Sequence, residues 1–366
     1  MRILHIHTTM QGGGIESMIC ALANQMALLG HDVTVCSIFK PKREDVFWNK
    51  LSDKVKKDTI GKVKTGFSIV EIFKIRNYIK HGNFDIVQVH GYFYYHGLSI
   101  LTLQKSNHFF YTVHSDAFME NNSREKKVLL LKKMAFRLGF MHAITISPSS
   151  QQSFNNLYHC KSTLIPNGIA LPIIDNGKNI IDECRITERT KVFIHPGRIS
   201  TPKNQIVLVK VFDRLIKEGN DVVLVIAGSR QMEDIYSRIE PYFSDRICYI
   251  GERDDIPSLM AKADAFCLPS IWEGLPVTLL EALAVGCIPI CSPVGGIVDV
   301  VKNGINGFLS NSSSENDYYL IVKEFIKFPS DKLLTIRNNC IESFKPYHIS
   351  RTVDNYIQLY RQYINK

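Results

Sequence analysis

The sequence has no paired cysteine spacing, no long apolar run and no complete dinucleotide-binding fingerprint, and each absence removes a class of protein. Its nine cysteines are scattered from Cys20 to Cys340. The number is odd, and even Cys287 and Cys291 flank Ile-Pro-Ile instead of forming a zinc knuckle, which argues against a disulfide framework or structural zinc and for a reducing compartment. No segment reaches the roughly 18 consecutive apolar residues of a membrane span. The opening run Met1 to His7 is too short for a signal-peptide core and leads straight into glycines. The expected location is the cytoplasm.

What is present is ample material for folding. The chain has 366 residues, 45% hydrophobic and 22% charged, enough for two domains with a core each. The net charge is +9, and its distribution is uneven. Residues 1 to 165 hold 21 Lys and Arg against 11 Asp and Glu, 21 − 11 = +10, while residues 166 to 366 hold 23 against 24, or −1. The basic stretches Lys54, Lys56, Lys57, Lys62, Lys64 and Lys126, Lys127, Lys132, Lys133 suit an anionic surface, lipid headgroups or nucleic acid, or else stand as solvated helix faces.

Short β-branched runs alternate with longer amphipathic ones, the pattern of parallel sheets wrapped by helices. Arg2 to Thr8 reads as a buried strand, Gly12-Gly13-Gly14 as a loop and Glu16 to Leu29 as a helix ended by Gly30. Further strands fall at Val33 to Ile38, Ile86 to His90, Phe109 to His114, Ala143 to Ile146 and Thr163 to Ile165. Residues 166–190, with Pro166, Asn167, Gly168, Pro172 and the polar run Asp175 to Asn179, break the pattern and read as a connection. The alternation restarts with strands near Val192 to His195, Val222 to Ala227, Ile247 to Ile250, Ala265 to Leu268 and Ile288 to Cys291. Helices begin near Lys203, Glu233, Ile256, Pro276 and Ile297, and three more helical stretches close the chain. The fold class expected is α/β, two Rossmann-like domains facing across a cleft, over 1–165 and 191–345. A last helix, 346–366, is expected to pack back toward the first domain.

Ligands of open parallel sheets bind beyond the carboxyl ends of strands, where helix amino termini offer free N–H groups. Four such places carry unusual residues. The first is Pro269-Ser270-Ile271-Trp272-Glu273-Gly274-Leu275-Pro276-Val277-Thr278-Leu279-Leu280-Glu281. Pro276 suits the first helical position, and the amides of Gly274, Leu275, Val277 and Thr278 can hold phosphate oxygens. Glu273 and Glu281 flank that helix end, where carboxylates accept hydrogen bonds from sugar hydroxyls. The second, His195-Pro196-Gly197-Arg198-Ile199-Ser200-Thr201-Pro202-Lys203-Asn204, brings two cations to a helix start, which is unfavourable without an anion and suited to a leaving diphosphate. The third is Gly12-Gly13-Gly14, where backbone can approach a phosphate or sugar. Glu16 beside it faces a ligand or supports the first helical turn. The fourth is His114, at the end of a strand and able to bond a sugar hydroxyl. His5, His7 and His90 read as packed strand residues, since no spacing joins them into a metal-ligand set.

These residues resemble the nucleotide-sugar glycosyltransferases of family 4, which have the two-domain GT-B fold. Glu273 and Glu281 resemble the family's E-x7-E pair, Gly197-Arg198 with Lys203-Asn204 its G-R-x4-K element, and Ile165 to Ile169 its interdomain sequence. By that resemblance Arg198 and Lys203 bind the donor diphosphate, Glu281 the ribose hydroxyls and Glu273 the transferred sugar, with His114 on its far side. Gly228 and the loop Gly251-Glu252-Arg253 border the base, and Gly12 to Gly14 lie on the acceptor side. Leu275 and Pro276 stand where phenylalanine and glycine are usual, a variant that looks like bacterial capsule and surface-polysaccharide enzymes, and Ser115 separates His114 from Asp116.

The resemblance implies a retaining, metal-independent transferase that needs no cofactor and uses a nucleotide sugar as substrate, UDP-linked by preference. No Asp-x-Asp occurs in the chain, which argues against the metal-dependent glycosyltransferase class. The expected partners are the nucleotide sugar, a glycan or lipid-linked acceptor and an anionic membrane touched peripherally, with nucleic acid excluded. The rival readings are an epimerase or hydrolase of the same fold and a nonenzymatic sugar-nucleotide-binding protein.

Overall fold

A computed structural model of the chain describes all residues except 43–44, 67, 92–107, 121–125, 178–179 and 366, and leaves the side chains of Lys126 and Lys127 outside the description. Among the described residues, thirteen strands form two sheets. The first holds β1 (Arg2–His7), β2 (Asp32–Phe39), β3 (Lys56–Lys62), β4 (Ile86–His90), β5 (His108–Val113), β6 (His142–Thr145) and β7 (Thr163–Leu164) in the order β3-β2-β1-β4-β5-β6-β7. The second holds β8 (Lys191–Pro196), β9 (Val222–Ala227), β10 (Ile247–Tyr249), β11 (Ala265–Leu268), β12 (Ile288–Cys291) and β13 (Phe308–Leu309) in the order β10-β9-β8-β11-β12-β13. The named pairings are parallel. In each sheet the strand order reverses once, between β1 and β4 and between β8 and β11, the point at which doubly wound folds open a crevice for ligands.

Central strands of such sheets are covered on both faces, which is why β9, Val-Val-Leu-Val-Ile-Ala, is buried throughout. The helix Gln205–Lys217 packs through Leu208, Val209, Val211, Phe212 and Leu215 and stops where Gly219 takes a positive φ of 83°. The edge strand β3, Lys-Lys-Asp-Thr-Ile-Gly-Lys, has three exposed leading residues. It carries little apolar alternation and so leaves no strand signature in the sequence.

The chain divides into two compact units, 1–170 with 347–366 and 171–346. The connection expected over 166–190 is therefore shorter. Residues 166–170 belong to the first unit, where Ile169 bridges to His348 in parallel and Thr352 Oγ1 donates to the Pro166 carbonyl at 3.1 Å. Residues 171–177 and 180–190 belong to the second, held by Asp175 N to Ser258 Oγ at 3.0 Å and by the Arg185 to Asp264 ion pair at 3.0 Å. The last helix, Ile349–Ile364, lies in the first unit, with Val353, Tyr356, Ile357 and Tyr360 in the same core as Ile3, Met18, Val33 and Phe110. Each large side chain buried there contributes about 2–3 kcal/mol.

Two basic residues expected at the surface are interior. Lys62 is 4% exposed and stands 3.8 Å from Glu71, and Lys132 is also 4% exposed, over the Tyr111 ring at 5.3 Å. Both aliphatic stems pack into apolar surroundings while the ammonium groups find a carboxylate or an aromatic face. Among the described residues no helix is long and apolar enough to cross a membrane.

Candidate active site

In the second unit the two loops that follow β8 and β11, on either side of the strand-order reversal, are stitched together. Asn204, at φ 57°, donates from Nδ2 to the Pro269 carbonyl at 3.1 Å, and Ile271 N donates to the Pro202 carbonyl at 2.8 Å. The stitching brings Lys203 to Glu273, with Nζ 2.6 Å from Oε1, and Ser270 Oγ donates to the same oxygen at 2.7 Å. Both side chains are largely enclosed, at 19% and 12% exposure. Arg198 is exposed and has no carboxylate partner among the described residues. One of the two cations at this helix start thus has its counter-charge within the protein, and the other is open to an external anion.

Below the loop, buried His195 fixes its course. His195 Nδ1 donates to the Cys267 carbonyl at 2.8 Å, and Gln205 Nε2 donates to His195 Nε2 at 3.1 Å and to the Arg198 carbonyl at 2.9 Å. Burial lowers the His195 pKa to about 4, so the ring is neutral and keeps one acceptor nitrogen. Neither Gln205 nor Ser270 stood out in the sequence, since both act through loops that only the fold joins.

The helix Val277–Ala284 starts at Pro276, which lies outside it as the cap, with extended ψ of 127°, instead of at the first helical position expected. Leu279 and Leu280 bond back to the Pro276 carbonyl, which leaves the Val277 and Thr278 amides at the open turn. Leu275 and Val277 turn their side chains inward, at 4% and 8% exposure, and only their backbone can serve a ligand. Glu281 is half-buried on the second turn.

Two glycines set the spacing of these loops. A Cβ on Gly295, at φ 50°, would lie 1.9 Å from the Glu273 carbonyl oxygen, and one on Gly228, at φ 147°, would lie 2.1 Å from that of Gly197. Gly228 N also donates to the Gly251 carbonyl at 2.7 Å, which joins it to the loop carrying Arg253. The Arg253 guanidinium is committed to Asp255, through Nε at 2.7 Å and a second nitrogen.

The first unit gathers a second set at the ends of β1, β4 and β5. Gly13 caps the helix Gly14–Leu28. Glu16 in its first turn lies 3.5 Å from His7 Nε2, while His7 Nδ1 donates to the His90 carbonyl at 2.7 Å. His114 Nε2 meets His90 Nδ1 at 3.0 Å, and His90 Nε2 meets His5 Nδ1 at 3.0 Å. Burial lowers the pKa of both His5 and His114 to about 3. Glu120 holds the His114 turn, accepting from His114 N at 2.8 Å and Ser115 N at 3.1 Å, and its own pKa is raised by burial. Asp116 accepts from Phe118 N at 2.8 Å and Met119 N at 3.2 Å. It therefore caps the start of the short helix Ala117–Glu120.

Two parallel α/β units, each with loops meeting at a reversal of strand order, define the doubly wound class, in which ligands bind at such reversals. The second unit matches the model of glycosyl transferases group 1 over residues 177–343 and the first that of Glycosyltransferase Family 4 over residues 12–171. The chain is 30% identical over 273 residues, 68% of each protein, to the UDP-Gal:alpha-D-GlcNAc-diphosphoundecaprenol alpha-1,3-galactosyltransferase of Escherichia coli. It is 30% identical over 151 residues, 41% of this chain and 39% of the other, to the N,N'-diacetylbacillosaminyl-diphospho-undecaprenol alpha-1,3-N-acetylgalactosaminyltransferase of Campylobacter jejuni. The sucrose-phosphate synthase of Thermosynechococcus elongatus superposes on 100% of this chain and 99% of its own with a TM-score of 0.82 at 18% identity, which shows the fold. The chain belongs to the family 4 glycosyltransferases and has their GT-B fold.

Proposed function

We propose that this glycosyltransferase moves a sugar from a nucleoside diphosphate, UDP by preference, to a hydroxyl of a lipid-linked surface glycan, with retention and without a metal. The observation that carries the reading is the second unit's pairing of Lys203 with Glu273 at 2.6 Å beside an unpaired Arg198. A donor diphosphate entering here meets Arg198 directly and competes with Glu273 for Lys203. Glu273 is then released toward the sugar hydroxyls, the Val277 and Thr278 amides take phosphate oxygens, and Glu281 takes the ribose.

In the step itself the bond between the anomeric carbon and the diphosphate oxygen breaks, and the acceptor oxygen bonds that carbon on the same face. The acceptor proton passes to the departing phosphate. The cations stabilise charge that grows on the leaving group, and neither glutamate is needed as a nucleophile. His114 contacts the transferred sugar. The lipid-linked acceptor is supported by the Escherichia coli and Campylobacter jejuni relatives, whose names carry a diphosphoundecaprenol sugar. Peripheral contact of the first unit with an anionic membrane is supported by its +10 charge excess over residues 1–165 and by the apolar row Leu130, Met134 and Leu138, at 60%, 44% and 56% exposure, beside Lys133 and Arg137.

The test is release of nucleoside diphosphate from a panel of UDP- and GDP-sugars, with and without a membrane lipid extract. Release that needs both one UDP-sugar and the extract is expected. Equal release without extract would assign the site to hydrolysis, and none with any donor would overturn the reading.

A further inference from the structure

Three imidazoles form a row across one face of the first sheet, buried at His5 and His90 and half-buried at His114. His5 on β1, His90 on β4 and His114 just past β5 stand at positions of the same parity as Ile3, Ile86 and Phe110, which belong to the core shared with the last helix. The contacts run from His5 Nδ1 to His90 Nε2 and from His90 Nδ1 to His114 Nε2, both at 3.0 Å. His5 and His90 are fully buried. Beneath them Gln88 Nε2 donates to Thr112 Oγ1 at 2.8 Å, and Tyr360 OH donates to Gln88 Oε1 at 2.9 Å, so the surrounding polar groups are already satisfied.

Each contact in the row needs one N–H and one lone pair. With His5 and His114 held neutral by burial and one proton on His90, only two arrangements satisfy both contacts: all three rings protonated at Nδ1, or all three at Nε2. The end of the row separates them. His5 Nε2 is buried with no hydrogen-bond partner among the described residues. In the second arrangement that atom is an orphaned N–H, and in the first it is an idle lone pair. Buried donors without acceptors are rarer than under-used acceptors.

We propose that His5 and His90 are positioning residues that hold His114 in its Nδ1–H tautomer, with Nε2 accepting from His90, so that Nδ1–H donates a hydrogen bond to an oxygen of the transferred sugar. The assignment rests on the reading above that His114 touches that sugar. A donor nitrogen matches a hydroxyl oxygen or a ring oxygen through its lone pairs, and the row keeps the ring from turning over or changing tautomer when the site is empty.

The experiment is nitrogen NMR of the full chain labelled with ring-15N histidine, with His114 assigned by its loss in His114→Ala. The expected wild-type spectrum has His114 protonated at Nδ1 and bare at Nε2, and the Nδ1 proton preference is lost in His90→Phe. Should His90→Phe not fold, His5→Phe, at the far end of the row, is expected to weaken the same preference. Protonation at Nε2 in the wild type, or a spectrum unmoved by these changes, overturns the proposal. In parallel, His90→Phe is expected to lower turnover roughly tenfold, the value of one hydrogen bond, and to add nothing to His114→Ala. Full activity of His114→Ala, together with a wild-type spectrum that shows His114 protonated at Nδ1, would instead refute the sugar contact and leave the tautomer assignment standing.

Discussion

Lys203 and Glu273, 70 residues apart in the chain, meet at 2.6 Å between Nζ and Oε1. The contact ties the loop after β8 to the loop after β11, across the reversal of strand order in the second sheet. In the proposed function a donor diphosphate separates this cation from this carboxylate. The pair is largely enclosed, at 19% and 12% exposure, and an enclosed ion pair is by itself weak evidence for stability because both groups give up hydration.

Replacing Lys203 tests the proposed chemistry, and a melting curve of the same variant reports the cost of leaving the enclosed Glu273 without its cation. Lys203→Ala is expected to lower kcat by about two to three orders of magnitude, as loss of one preorganised group at a developing charge does. Steady-state kinetics with the preferred donor checks it. A change confined to KM would mean that the ammonium binds ground state and transition state equally.

The loop glycines should be intolerant of any side chain. Gly228→Ala and Gly295→Ala each place a Cβ within about 2 Å of a carbonyl oxygen, at positive φ. Strain and overpacking together cost about 2–4 kcal/mol. Thermal melting is expected to drop by roughly 5–15 °C, with donor affinity falling too. Gly30→Ala, where no atom lies within 4 Å of the added Cβ, is the comparison and should show the smaller loss.

Acid should destabilise the protein before its carboxylates titrate. His195 falls from 6.5 to about 4, and His5 and His114 from 6.5 to about 3, all by burial. The unfolded chain then binds more protons than the folded one below pH 6.5. The stability from these neutral rings is complete above that pH and is lost as pH falls through about 4 and then about 3. Melting temperature measured from pH 7 down to 4 should decline steadily. A flat profile over that range would show that the rings are not held neutral.

Membrane contact has its own signature. Binding to vesicles of anionic phospholipid should weaken as salt rises, and the triple change of Leu130, Met134 and Leu138 to serine should reduce it further at constant charge. Sedimentation with neutral and anionic vesicles measures both. Equal binding to the two kinds of vesicle would contradict an electrostatic attachment.

Much of this was legible in the sequence because it depends on local pattern. The β-branched runs gave central strands, and Gly274, Pro276 and Gly197-Arg198 marked loop-to-helix junctions with their charges. What escaped depends on neighbours that are distant in the chain. The edge strand β3 has no alternation to read, since its outer side faces water. Lys62 and Lys132 look like surface lysines until Glu71 and Tyr111 are packed beside them. The histidine row shares one parity along each strand, but its contacts exist only because β4 lies between β1 and β5. Glu120 is six residues from His114, and its grip on that turn depends on the short helix that Asp116 caps.

The most direct test of the account is the anomeric configuration of the product, formed from an α-linked UDP-sugar and a lipid-linked acceptor in the presence of EDTA and read by NMR coupling at the new linkage. An α-linked product, formed by the wild type and strongly reduced in Lys203→Ala, is the expected result. A β-linked product, or transfer that stops when the chelator is added, would contradict a retaining, metal-independent transfer.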